Sequence, residues 1–134
     1  MTSAAAKKPR LLLVEDEPSI ASVCARILAA DGVCVDIARD GQTAREMAGD
    51  TAYDVCLTDI RVPGMSGTEL YRCLEQENPA LADRVIFTTG DTLSANTGDF
   101  LRESKRPFLA KPFTPDDLRR IVHETLEPVT EPIH

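Results

Sequence analysis

The chain has 134 residues, which is the size of one globular domain, and its content of 43% hydrophobic and 28% charged residues is ordinary for a folded protein. Its formal net charge of −7 argues against a surface that grips the phosphates of nucleic acid, so we expect no direct nucleic acid binding. No run of about 18 apolar residues occurs, and we therefore expect no membrane-spanning segment.

The cysteines and the amino terminus indicate the cellular compartment. No two cysteines form a CxxC pair, and no histidine spacing suggests a zinc site. All four cysteines lie in apolar stretches, which predicts reduced thiols in the core and a cytoplasmic location. Residues 1–9 lack the apolar region of a signal peptide and are predicted to be a disordered lead-in. The cysteines are Cys24, Cys34, Cys56 and Cys73.

Short apolar runs alternate with stretches of helical periodicity along the chain. The first run is apolar throughout after one basic residue, which is typical of a strand buried on both faces. Pro18 follows it and suits the first turn of a helix. Predicted strands cover residues 10–14, 33–38, 53–58, 84–89 and 107–110, and predicted helices cover residues 18–30, 42–49, 66–78, 92–104 and 115–126.

Two of the predicted helices differ in how strongly the sequence favours helix formation. Segment 92–104 is a weak helix because poor helix formers interrupt it, so we expect it to be a mobile element in which only Leu93, Phe100 and Leu101 are buried. The first helix has apolar residues at regular spacings of three and four, which defines a continuous inner face. The predicted inner residues of that helix are Ile20, Val23, Cys24, Ile27 and Leu28.

The alternation of strands and helices predicts the fold class. Five strands separated by helices are typical of an α/β domain that has a five-stranded parallel sheet with helices on both faces. We expect a single domain at residues 10–127, followed by a frayed tail at residues 128–134. No internal repeat and no second domain are apparent.

Polar side chains stand where four of the predicted strands end. They are Glu15 and Asp16 after the first strand, Asp59 after the third, Thr89 after the fourth and Lys111 after the fifth. Because the carboxyl ends of the strands in a doubly wound sheet converge on one crevice, we expect these side chains to share a pocket.

The predicted pocket suits a metal ion and phosphoryl chemistry. Carboxylates about 4 Å apart would repel by roughly 4 kcal/mol per pair at an effective dielectric near 20, and a divalent cation removes that penalty. Hard oxygen ligands with room for water suit Mg²⁺. A cation, a hydroxyl and a fixed ammonium together stabilise phosphoryl transfer. Asp59 is positioned to attack and would become an acyl phosphate.

With these residues at its strand ends, the chain resembles the receiver domain of the bacterial two-component response regulators. Each matching motif is weak alone, but all of them occur in order at strand ends, over about residues 10–127. The resemblance implies a (βα)5 flavodoxin-like fold and a phosphoprotein of a phosphorelay, with at most slow self-dephosphorylation and no other enzyme activity. The matching motifs are Glu15-Asp16, Asp59, Pro63-Gly64-Met65-Ser66-Gly67, Thr89-Gly90 and Lys111-Pro112-Phe113.

The resemblance also implies the ligands of the metal and the acceptor of the phosphate. Asp59 would accept phosphate from a phosphohistidine. Asp16 would bind Mg²⁺ directly, Glu15 would bind it through water, and Asp59 and the backbone carbonyl of Arg61 would be further ligands. Arg61 would also flank the attacking water, so we expect it to slow dephosphorylation.

The remaining matched residues would hold the phosphoryl group and report its presence. Lys111 would pair with the phosphoryl oxygens, and Thr89 would hydrogen-bond one of them. The peptide bond between Lys111 and Pro112 is expected to be cis. Phe108 matches the switch aromatic of the family, which turns inward when Thr89 moves; the alternative is that Phe108 is a plain core aromatic.

The resemblance names the partners by class. The phosphate donor would be a sensor histidine kinase or a histidine phosphotransfer protein. The face built from residues 92–104, Phe108 and the last helix would carry the signal to a downstream protein. The chain is expected to be either a stand-alone regulator or the receiver of a hybrid sensor histidine kinase.

Two other functions remain open at the level of sequence. An Asp-nucleophile phosphohydrolase usually needs a second acid two residues after the nucleophile, where this chain has Arg61. Such an enzyme also needs an inserted cap that encloses its substrate, and this sequence shows no insertion of that kind. A receiver-like interaction module that is never phosphorylated would be favoured by the absence of Asp59, Lys111 or the acidic pair, and all of these residues are present.

Overall fold

Five parallel strands form one sheet in the computed structural model, which describes residues 8–90 and 95–127. The strands are β1 (Arg10–Val14), β2 (Cys34–Ala38), β3 (Val55–Asp59), β4 (Val85–Thr89) and β5 (Phe108–Ala110). The helices are α1 (Pro18–Ala30), α2 (Gly41–Asp50), α3 (Gly67–Glu77), α4 (Pro79–Ala82), α5 (Ala95–Ser104) and α6 (Pro115–Leu126). The strand order is β2-β1-β3-β4-β5, and the predicted α/β fold class is confirmed.

The central strands are apolar because helices cover both faces of the sheet. β3 and β4 are buried along their whole length, and β1 is exposed only at its first residue. Alternate residues of each strand enter two separate hydrophobic clusters. Leu12 and Val14 pack in the cluster shared with α2, α3, α4 and α5, whereas Leu11 and Leu13 pack in the cluster shared with α1 and α6.

Side-chain caps fix the start of the two helices that follow the predicted site residues. Ser66 accepts a hydrogen bond from the backbone N–H of Glu69, and the Glu69 carboxylate accepts one from the backbone N–H of Ser66. Thr114 and Asp117 form the same reciprocal pair at the start of α6, where Pro115 occupies the first turn. Each reciprocal pair is a capping box, which satisfies backbone N–H groups that a helix leaves unpaired, so α3 and α6 begin at defined residues.

The structure corrects several predictions of burial and one of helix number. Val23 was predicted on the inner face of the first helix but is 49% exposed, because α1 packs through Ala21, Cys24 and Leu28. Cys34 is exposed rather than a core thiol, since it begins the edge strand β2. The one-turn helix α4 was not predicted, so the described residues form six helices rather than five.

Some predictions fall outside the described residues. These are most of the lead-in at residues 1–9, the burial of Leu93 and the tail at residues 128–134. Among the helices that the structure does describe, none combines the length and the apolar character needed to cross a membrane.

Candidate functional site

The predicted site residues lie together at the carboxyl edge of the sheet. Glu15 follows β1, Asp59 is the last residue of β3, Thr89 is the last residue of β4 and Lys111 follows β5. The strand order brings β1, β3, β4 and β5 side by side, so residues far apart in sequence meet in one pocket. The convergence that the sequence predicted at strand ends is therefore present.

Lys111 bridges two acidic residues in this pocket. Its Nζ donates to Asp59 Oδ2 at 2.6 Å and to Glu15 Oε1 at 3.1 Å. Glu15 is 3% exposed and Asp59 is 9% exposed, and the ammonium of Lys111 offsets part of the cost of burying these two carboxylates. Burial alone would lower the pKa of Lys111, but the hydrogen bonds to Asp59 and Glu15 outweigh burial and raise that pKa above its usual value. Lys111 is therefore a fixed positive charge at neutral pH.

Three carboxylates form a cluster that could hold a cation. One oxygen each from Glu15, Asp16 and Asp59 lies within 4.8 Å of the other two. Asp16 is exposed, so the mouth of the cluster is open to solvent. Glu15 Oε2 also accepts a hydrogen bond from the backbone N–H of Glu17 at 3.2 Å, which orients that carboxylate. An all-oxygen set with a solvent-facing side fits Mg²⁺, which keeps several waters when protein ligands bind it.

The loop after β3 wraps tightly around Asp59. The backbone N–H of Arg61 donates to Asp59 Oδ1 at 3.0 Å, and this leaves Oδ2 for Lys111. The backbone N–H of Gly67 donates to the carbonyl of Ile60 at 2.9 Å, so the start of α3 is tied to the residue after Asp59. A Cβ atom on Gly67 would lie 2.3 Å from the Asp59 carbonyl oxygen, which only glycine avoids. The phosphoacceptor candidate is thus held by backbone on two sides.

Thr89 ends β4 beside this pocket, and Phe108 begins β5 opposite Phe87, two residues before Thr89. Thr89 is 3% exposed, and its carbonyl accepts a hydrogen bond from the backbone N–H of Lys111 at 2.8 Å. The peptide bond between Lys111 and Pro112 is cis, the isomer that the resemblance implies. Phe108 is 45% exposed, so the alternative of a plain core aromatic is wrong.

An apolar groove adjoins the pocket and was not predicted from the sequence. It has a volume of about 500 Å³ and runs between α1 and the turn from Lys111 to Pro115. Lys111 lines the groove as well as the pocket. Burial raises the pKa of the Cys24 thiol on the groove wall, and the nearby charge of Glu15 raises it further. The other lining residues are Ser19, Ile20, Val23, Ile27, Pro112, Phe113 and Pro115.

The sequence contains a signal for this groove. Val23 continues the apolar spacing of α1, and this spacing alone predicts a core position for it. Five apolar positions on one short helix are more than one buried stripe needs, since the stripe that packs on the sheet uses Cys24 and Leu28. The surplus apolar positions, with Val23 the most exposed of them, form the groove wall.

The strand order and the acidic pocket at the carboxyl edge define a flavodoxin-like α/β fold that carries its site at the topological switch point. The chain belongs to the response regulator receiver domain family, whose model matches residues 11–123. Proteins of this family act as signalling domains.

Sequence and structure comparisons identify relatives of several kinds. The chain is 32% identical over 115 residues to the transcription factor SKN7 of Saccharomyces cerevisiae; the match covers 84% of this chain but only 18% of that protein. A CheY-like receiver domain protein from Methanospirillum hungatei superposes with a TM-score of 0.82 at 27% identity, covering 90% of this chain and 94% of the other. The receiver domain of the sensor histidine kinase PA1611 from Pseudomonas aeruginosa, solved with magnesium in its active-site cleft, superposes with a TM-score of 0.80 at 28% identity, covering 90% and 98%.

Proposed function

We propose that this chain is the phosphoacceptor receiver of a two-component phosphorelay, in which Asp59 takes a phosphoryl group from a phosphohistidine with the help of Mg²⁺. The observation that carries the proposal is the contact of the Lys111 ammonium with Asp59 at 2.6 Å and Glu15 at 3.1 Å, beside a cluster of three carboxylates. Asp59 is a buried carboxylate with one oxygen beside the Lys111 ammonium, and it also belongs to the carboxylate cluster that could hold a metal ion. This arrangement suits an acceptor of phosphate.

Burial and position support a set of metal ligands. Asp16 is exposed at the pocket mouth and would bind Mg²⁺ directly together with Asp59, whereas Glu15 is buried and paired with Lys111 and would act through a water. The carbonyl of Arg61 would be a further ligand, since the backbone of Arg61 already contacts Asp59. When bound, the cation neutralises charge on the phosphoryl oxygens and on the attacking carboxylate.

The chain's own residues would carry the transfer step. An Asp59 carboxylate oxygen attacks phosphorus in line with the P–N bond of the phosphohistidine, that bond breaks with its electron pair going to the imidazole nitrogen, and an acyl phosphate forms on Asp59. Lys111 would then exchange its contact with Asp59 Oδ2 for a phosphoryl oxygen. The Thr89 hydroxyl would donate a hydrogen bond to a second phosphoryl oxygen. Arg61 would slow hydrolysis by flanking the path of the attacking water.

The donor would dock beside the pocket, on the groove between α1 and the turn from Lys111 to Pro115. The groove is apolar and shares Lys111 with the pocket, so a helix of a histidine-bearing partner that covers Val23 would bring its phosphohistidine over Asp59. The output face would be α5, β5 with Phe108, and α6. Relatives include transcription factors of which this chain spans a small part, so a downstream partner that binds nucleic acid is compatible with the proposal.

The proposal is tested by incubating the protein with acetyl phosphate and Mg²⁺ and measuring its intact mass. We expect one added phosphoryl group in the natural protein and none in Asp59→Asn or in the presence of a chelator. Lys111→Met should give a strongly reduced yield, because the charge on the phosphoryl oxygens then has no ammonium partner. An unmodified natural protein would leave only a receiver-like interaction module, and steady release of phosphate from an aryl phosphate would identify a phosphohydrolase.

A further inference from the structure

The volume beside Phe87 is occupied by a ring from α5. Phe87 is fully buried in the cluster that faces α3 and α5. Phe100 packs edge-on against it, with ring centroids 5.1 Å apart, and Tyr71 packs against both rings at 5.7 Å and 5.9 Å. Such edge-to-face contacts are favourable arrangements of aromatic rings. Phe87 is thus enclosed by Phe100 and Tyr71.

Phe108 borders the same volume but does not enter it. β5 pairs with β4 so that Phe108 lies opposite Phe87. Paired residues of neighbouring parallel strands direct their side chains to the same face of the sheet, so Phe108 belongs to the face that carries the ring cluster. Phe108 is nevertheless 45% exposed, whereas Phe100 is 9% exposed. An apolar ring at the rim gains free energy on burial, and the interior beside Phe87 is already occupied by the ring of Phe100.

Phe100 is also one of the two anchors of α5. Among the side chains of α5 that the structure describes, only Phe100 and Leu101 are buried. Gly98 lies in the middle of the helix, where glycine lowers helix stability. α5 therefore depends on Phe100 and Leu101 for its position, and a shift of α5 moves Phe100 with it.

We propose that Phe100 and Phe108 compete for the volume beside Phe87, so that Phe108 can turn inward only when α5 withdraws Phe100. Phe100 is then the positioning residue that holds the unphosphorylated domain in its resting state. The inference rests on the proposed function in one respect, because phosphorylation of Asp59 is the event that would drive the exchange. The competition between the two rings is a property of the unphosphorylated domain and can be measured without phosphate.

The first experiment measures the exposure of Phe108 in the full chain labelled with para-fluorophenylalanine. The chain has four phenylalanines, so four fluorine resonances are expected, and single Phe→Leu variants assign them. The solvent isotope shift between H2O and D2O reports the exposure of each ring. We expect a clear shift for Phe108 in the natural protein and its loss in Phe100→Ala. Phe100→Leu, which leaves α5 packed, should reduce the shift part-way and serves if the alanine variant does not fold.

Leu28→Ala is the matched control, since it removes a fully buried side chain from the cluster on the opposite face of the sheet and leaves both anchors of α5 in place. Phe108 should stay exposed in Leu28→Ala even when the loss of stability equals that of the Phe100 variants. The inference is overturned if Phe108 remains exposed in both Phe100 variants, or if Leu28→Ala buries Phe108 to the same extent.

A second measurement links the competition to the proposed switch. Beryllofluoride affinity should rise about fivefold or more in Phe100→Leu, because less free energy is needed to leave a resting state that no longer excludes Phe108. Leu28→Ala should not match that gain. If the natural protein binds no beryllofluoride, the proposed function is wrong, and the fluorine experiment alone decides whether the two rings compete. A natural protein that binds it, with equal affinity in Phe100→Leu, would retain the proposed function and overturn the inference.

Discussion

At the scale of single residues, Gly67 is where the site and the fold constrain each other. Its backbone N–H holds the carbonyl of Ile60, and a Cβ at position 67 would overlap the Asp59 carbonyl oxygen at 2.3 Å. Both contacts are with backbone, which cannot move aside as a flexible side chain can. The requirement for glycine therefore comes from the close approach of α3 to the strand that carries Asp59.

Gly67→Ala should destabilise the protein by about 1–3 kcal/mol, the usual cost of forcing extra volume into a packed site. It should also weaken Mg²⁺ binding, because relief of the clash displaces Asp59. Urea denaturation and metal titration measure the two effects. Gly49→Ala is the matched control: nothing lies within 4 Å of the added methyl, and the helix should gain up to about 1 kcal/mol. Equal effects of the two substitutions would contradict the constraint.

Tyr53 links the first three strands at the edge opposite the site. Its hydroxyl donates to Asp36 Oδ2 at 2.8 Å, and the Arg10 guanidinium lies 5.9 Å from the centre of its ring. Burial raises the pKa of Tyr53 to about 12, aided by the hydrogen bond to Asp36 and by the charge of that carboxylate. The folded protein therefore keeps this phenolic proton at a pH where the unfolded chain loses it.

The free energy of unfolding should consequently fall as the pH rises from 10 towards 12. The unfolded chain releases the Tyr53 proton near pH 10 and gains stability relative to the folded state, with a slope of at most about 1.4 kcal/mol per pH unit for one proton. Tyr53→Phe should show a shallower decline over this range. Chemical denaturation at several pH values measures the slopes, and identical slopes would show that Tyr53 does not cause the decline.

At the scale of elements, α1 has two faces with different tasks. Ala21, Cys24 and Leu28 pack on the sheet. Ile20, Val23 and Ile27 line the groove beside the pocket. Ile20 and Ile27 are partly covered by the core, whereas Val23 is exposed and available for a partner.

Val23→Lys should slow phosphoryl transfer from a histidine-bearing donor by about tenfold or more, equivalent to a loss of about 1.4 kcal/mol of docking energy. Phosphorylation by acetyl phosphate should be unchanged, because a small donor needs no docking surface. Ser22→Lys adds the same charge at the neighbouring exposed position, which does not line the groove. Transfer rates reduced equally by the two variants would assign the effect to charge and not to the groove.

At the scale of the whole molecule, the acidic pocket is expected to couple metal binding to stability. The chain carries a net charge of −7, and three of its carboxylates meet at one edge of the sheet. Assembling them costs electrostatic energy, which Lys111 offsets in part through its contacts with Glu15 and Asp59. A cation that binds only the folded state should stabilise it further.

Mg²⁺ should therefore raise the unfolding temperature of the natural protein, by an amount equivalent to about 2.7 kcal/mol at a concentration one hundred times the Kd. Asp16→Asn should abolish most of this gain, since Asp16 is the exposed carboxylate of the cluster. Asp50→Asn makes the same charge change at the end of α2 and should retain the gain. Thermal unfolding with and without Mg²⁺ measures it, and a full gain in Asp16→Asn would exclude the proposed ligand.

The amino-acid sequence by itself determined the order and type of the main elements and the residues at the strand ends. Apolar runs such as Leu11 to Val14 are buried on both faces, so their pattern predicts a strand whatever its neighbours are. Asp59 and Lys111 could be placed at strand ends for the same reason. Boundaries differ from the prediction by one or two residues at several elements, because hydrogen bonding and not apolarity ends a strand.

Only the tertiary structure decided which apolar side chains stay outside the core and which charges meet. Val23 and Phe108 are as apolar as their buried neighbours, but α1 uses another stripe for packing, and Phe108 lies on a three-residue edge strand beside a volume that Phe100 fills. The contact of Lys111 with both Glu15 and Asp59 depends on strand order, which local sequence does not encode. Burial and ion pairing at these positions are properties of how elements pack together, and a single element's pattern carries no information about its neighbours.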